Sequence, residues 1–136
     1  MRPSRSWKQF FVAAAAFNFV IGGTLMAAPE WSFAIAFVTV PGVDPGLGPA
    51  LWGDFGFCVL LIGLGYLFIA HQPERELPLV VIGIFAKLFD VVTLTHRATT
   101  GVTHPIVLVP AAIDALFMLG FAVFLWRCLI AKHHPS

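Results

Sequence analysis

Apolar residues in this chain gather into four long runs separated by polar or proline-rich breaks. The runs cover about 6–28, 50–70, 77–95 and 106–130, each near the roughly 20 residues that a helix needs to cross a hydrocarbon core of about 30 Å. Backbone groups in lipid must be satisfied within the crossing segment, so each run predicts a membrane-spanning α-helix. The predicted fold class is all-α: one domain over residues 1–136, an integral bundle of four transmembrane helices. The first run resembles a signal peptide in its basic start (Arg2, Arg5, Lys8) and small-residue end (Met26-Ala27-Ala28). Its apolar stretch exceeds the roughly 7–15 residues of a signal core, which predicts a retained helix.

The connections differ in kind. Residues 29–49 are rich in proline and glycine and carry no Lys or Arg, whereas His71-Gln72-Pro73-Glu74-Arg75-Glu76 is a short charged turn. Arg2, Arg5, Lys8, Arg75, Arg127 and Lys132 fall on one side of the membrane and Arg97 on the other, with Lys87 inside a span. Basic loops stay in the cytoplasm, so both termini are expected there, in a cell membrane and most simply a bacterial inner membrane. Trp7, Trp31, Trp52 and Trp126 fall at or just beyond span ends and read as interface anchors. Within the long outer connection, Trp31 to Val38 is too apolar for water and too short to span. It is expected to lie on the outer interface or to fold over the mouth of the bundle, where it would act as a lid.

Composition supports the membrane reading: 59% of the 136 residues are hydrophobic and 11% are charged, against roughly a quarter charged in a soluble domain. The net charge of +1 is scattered, which excludes the phosphate-tracking basic patch of a nucleic-acid binder. Cys58 and Cys128 fall in different runs with no Cys-x-x-Cys pair, so they read as packing residues. The lipid bilayer is the expected partner. Four short spans make a thin wall, so a homo-oligomer or assembly with other membrane subunits is also expected.

Helices in lipid associate through small residues and polar contacts rather than through a hydrophobic drive. Ala14, Asn18 and Gly22 fall four apart on the first run, and Gly53, Gly56 and Gly63 share a face of the second. These faces are expected to carry the closest backbone approaches. Gly63-x-Gly65 lacks the strand-to-helix context of a phosphate loop. Pro78 suits the first turn of the third span, while Pro110 either kinks the fourth or marks its start.

The residues that do not belong in lipid are Asp54, Lys87, Asp90 and Asp114. Each would cost about 2.5–3.5 kcal/mol at the bilayer centre, so they are expected to face inward. Counting residues from the span ends puts Asp90 and Asp114 level in the outer half, Asp54 nearer the outer surface, and Lys87 with Asn18 near the middle. One buried polar cluster follows, with Lys87 expected to pair with Asp114 and Asp90 as the competing partner. Three carboxylates against one ammonium in a dry site require a proton, water or a cation. The plainer alternative is an ion pair that fixes helix register, with Asp54 among head groups. His96 and His104 flank the outer turn between spans three and four. Two imidazoles without Cys or carboxylate partners are better read as solvated turn residues than as metal ligands. The spans carry no facing histidines for haem, His133 and His134 sit in a polar tail, and no cofactor is expected.

From Gly63 onward, Gly63-Leu64-Gly65-Tyr66, Pro73, Gly83 with Lys87, and Asp114-Ala115-Leu116-Phe117 resemble a family of small bacterial four-helix membrane proteins in the DoxX-like group. Ala86 and Ile113 stand where that family commonly has glycine before the lysine and before the aspartate. The resemblance implies a four-helix bundle and draws attention to Lys87 and Asp114; it implies no reaction.

Three functions fit. One is binding or transport of an ion, proton or small solute through the acidic cluster, and another is an accessory subunit held by its glycine stripes. The third is a membrane enzyme such as an isomerase on a lipophilic substrate, with a carboxylate moving protons. Without a nucleophile, metal set or cofactor motif, the sequence favours a non-enzymatic protein.

Overall fold

The structure is a computed structural model that describes residues 5–39 and 46–133, with side chains described to residue 130. Arg2, His134, the 40–45 part of the outer connection and the side chains of Lys132 and His133 lie outside the described residues. Helices α1 (Arg5–Ala27), α2 (Pro29–Ala36), α3 (Leu47–His71), α4 (Leu77–Thr99) and α5 (Leu108–His133) follow in order, with a 3₁₀ turn at Pro105–Val107 ahead of α5. The four long helices are apolar enough to cross a membrane, and together they form an all-α bundle.

Local chemistry sets the boundaries. Pro29 lacks an N–H and disfavours helical geometry in the residue before it, so α1 stops and Ala28 takes φ −138°, ψ 61°. Pro29 then opens α2, an element that the apolar content of 31–38 announced without revealing its helicity. Phe37 is extended at φ −113°, ψ 144° and ends α2. At the end of α4, Gly101 adopts φ +76°, and the N–H groups of Gly101 and Val102 donate back to Ala98 and Arg97. A side chain at that φ would be strained, and the left-handed glycine turns the chain toward α5. Pro78 sits in the first turn of α4, and Pro110 in the first turn of α5 rather than at a mid-helix kink.

The bundle is two close pairs, α1 with α3 and α4 with α5. Glycines let α1 and α3 touch backbone to backbone: a Cβ on Gly22 would come within 2.6 Å of the Gly56 carbonyl oxygen, and one on Gly56 within 2.8 Å of the Gly22 oxygen. Gly63 closes on Asn18 and Ala15 in the same seam. Ala14 is fully buried in the core beside it. Gly53 does not belong to the close contact: a Cβ there would meet Pro29 and the Leu25 oxygen at 3.4 and 3.7 Å, ordinary packing distances, because the helices have begun to diverge.

An aromatic layer joins the pairs at the end that carries the start of α1, the end of α5 and the 72–76 turn. Phe11 and Phe121 lie 5.1 Å apart between ring centroids, Phe11 and Phe124 also 5.1 Å, and Tyr66 and Phe121 5.0 Å. Gly83 and Gly120 make room for this layer, since a Cβ on either would strike the rings of Phe121 and Tyr66 or of Phe10. Trp7 belongs to the layer too, against Phe10 and Phe124, with the Arg127 guanidinium 5.9 Å above its ring. Trp31 and Trp126 are exposed as interface anchors should be.

At the opposite end α2 forms a roof. Its C-terminal segment pairs with the α4–α5 connection: Val38 N–H donates to the Val102 carbonyl (3.1 Å) and His104 N–H to the Ala36 carbonyl (2.9 Å). Phe33 stacks on Phe37, which meets the edge of Trp52 on α3.

Candidate functional site: an intramembrane cavity floored by an ion pair

Between the aromatic layer and the roof the two helix pairs separate and enclose a cavity of about 630 Å³. Lys87 on α4, Asp114 on α5 and Asn18 on α1 meet at its floor. The Lys87 ammonium donates to Asp114 Oδ1 at 2.5 Å and to Asn18 Oδ1 at 2.6 Å, while Asn18 Nδ2 donates to the Val59 carbonyl on α3 at 3.2 Å. All four spans are thus tied at one level. The three residues are 3–5% exposed, so the pair is desolvated and its hydrogen bonds must replace water. The rings of Phe17, Tyr66 and Phe117 surround the ammonium at 5.3, 5.6 and 6.0 Å from their centroids, presenting electron-rich faces to it.

The sequence-level cluster is only partly assembled. Asp90, one turn beyond Lys87, lines the cavity half-buried, and among the described residues no side chain hydrogen bonds or pairs with its carboxylate. Asp54 does not join it. Position 54 is two residues from Gly56, so its side chain points about 200° around α3 from the α1-facing glycine, and it is exposed outside the cavity lining. Depth along a span was readable from the sequence, but rotation about the helix axis was not. His96 and His104 are both exposed, and among the described residues no three potential ligands gather around a metal position.

Sequence reasoning missed several wall residues. Thr93 and Arg97 continue the Lys87–Asp90 face along α4 toward the roof; that spacing was the available signal. Trp52, expected to be an interface anchor, instead lines the cavity, and its buried indole N–H has no partner among the described residues. A span-end tryptophan can equally turn inward, and the roof of α2 gives it something to pack against. The Tyr66 hydroxyl is likewise buried and unpartnered, in a side chain only 2% exposed. The remaining wall is largely apolar, with Phe17, Ile21, Leu25, Phe33, Phe55 and Val59 prominent.

A scan against protein-family models finds no match, and searches of curated proteins and of solved structures return no similar chain.

Proposed function

We propose that this small multi-pass membrane protein binds a lipophilic small molecule in the cavity, with the ligand's polar group directed at Lys87, Asp90 and Asp114. The observation that carries the reading is the junction of an apolar space with a buried polar floor. Ligand pockets typically enclose about 300–1,000 Å³ of mostly apolar wall with a few placed polar groups, and this cavity has that character. The charge count supports it. Lys87 and Asp114 neutralise each other, while the Asp90 carboxylate has no side-chain partner among the described residues and shares the wall with Arg97, so both groups are open to a ligand's polar end. The aromatic layer blocks a path through a single chain, so binding or one-sided access fits better than a pore. Kinship with the DoxX-like group and an orientation with both termini in the cytoplasm belong to the same proposal; the cavity then lies in the outer half of the bilayer.

The test uses one apolar skeleton with three polar ends, geraniol, geranylamine and geranic acid, added to the protein in lipid nanodiscs. At least one should raise the unfolding temperature of the wild type more than that of an Ile21→Trp variant, whose larger side chain takes up part of the cavity. Asp90→Asn should change which end is preferred. If no compound separates the wild type from the Ile21→Trp variant, the binding reading falls and the ion pair is a register device of an accessory subunit.

A further inference from the structure

We infer that the cavity is entered sideways from the lipid, between α3 and α4, and that its apolar part takes the hydrocarbon chain of a membrane-dissolved, lipid-like molecule. This rests on the binding reading above and adds the route and the class of occupant.

Among the described residues, two of the four possible ways in are obstructed. The aromatic layer fills the terminal end, and the roof is latched by the two backbone hydrogen bonds between 36–38 and 102–104. The sides differ. Toward α1 and α5 the cavity is lined by Phe17, Ile21 and Pro110, half-buried, and by Leu25, buried; Ile106, 56% exposed, lines it at roof level, in the 3₁₀ turn ahead of α5. Toward α3 and α4 its lining includes Leu51, Phe55 and Phe89, which are also exposed on the outer surface at 59, 37 and 61%. A side chain that both lines a cavity and faces outward marks an opening. Phe55 lies eight residues into α3, about 12 Å from its end, and Phe89 twelve residues into α4, about 18 Å from its start. Both depths fall within a hydrocarbon core, so the opening faces acyl chains rather than water. At the depth of Phe55 and Phe89 its rim is apolar, with Arg97 nearer the roof, so a chain meets no barrier there and a hydrated ion a large one.

The experiment reconstitutes the full chain in bilayers of a phosphatidylcholine carrying a diazirine in mid-chain, irradiates, and maps adducts by mass spectrometry. Adducts are expected on Leu25 and Val59, buried cavity residues at 7 and 8% exposure, as well as on lipid-facing positions such as Leu61. Ile21→Trp should reduce the interior adducts relative to those at Leu61. A second variant, Val38→Cys with Val102→Cys, is designed to close a disulfide across the latch, next to the antiparallel pair Phe37–Thr103. Interior labelling should proceed at an unchanged rate with the roof locked. Adducts confined to lipid-facing positions, or interior labelling lost on locking the roof, would overturn the lateral route. Either failure leaves the geranyl series free to succeed, so the two readings separate.

Discussion

Two of the three protons on the Lys87 ammonium go to Asp114 and Asn18, and the third faces a cage of rings. Removing the lysine alone strands a buried carboxylate, and breaking a buried pair in this way costs about 3–5 kcal/mol, whereas an apolar pair of similar volume can be nearly neutral. Lys87→Met should therefore destabilise the protein by about that amount, while Lys87→Met with Asp114→Leu recovers most of the loss. Equilibrium unfolding in mixed micelles measures the difference; equal losses in both variants would show that the pair is not the source of the asymmetry. Asn18 is bonded on both sides of its amide, so Asn18→Leu removes the second hydrogen bond to the Val59 carbonyl, which keeps its helical N–H, and leaves one ammonium proton without a partner. About 1–3 kcal/mol of destabilisation is expected.

At the scale of the element, the α1–α3 seam is the least forgiving part of the molecule. Gly56→Ala drives a methyl into Leu25 and the Gly22 oxygen, both backbone-proximal and unable to swing away, and should cost about 1–3 kcal/mol. Gly53→Ala, only a turn away in sequence, should change the unfolding temperature little. Comparable effects in the two variants would contradict the seam as drawn. These elements show what the sequence could say. Span lengths and the depths of Lys87, Asp114 and Asn18 follow from counting residues along nearly straight helices, and those three residues do lie together. Asp54 and Trp52 could not be assigned that way, because facing depends on how each helix is rotated against its neighbours. The helicity of α2 was hidden for another reason. Eight residues are too few for a clear period, and packing on α3 and the latch to the α4–α5 connection hold it.

For the whole molecule, the cytoplasmic placement of both termini is tested with topology reporters in the 72–76 turn and after Ser136; both are expected to read cytoplasmic, and a signal from the opposite face at either position would invert the bundle. Lys8 Nζ donates to the His71 carbonyl at 3.3 Å, so the start of α1 and the end of α3 share one face of the membrane whichever orientation holds.

The pairing of α1 with α3 and of α4 with α5 also has a consequence for how the chain is made. Each pair is contiguous in sequence, with the boundary in the short 72–76 turn, so one matched couple reaches the membrane ahead of the other. During that interval the first couple already holds its glycine seam but lacks the aromatic layer and the lysine that Asn18 accepts. The nascent half is therefore self-sufficient in shape and incomplete in polarity. Two polypeptides cut within the turn and expressed together should find each other in the bilayer and restore the unbroken chain's thermal transition, and Asn18→Leu in the first piece should weaken their recovery as a complex.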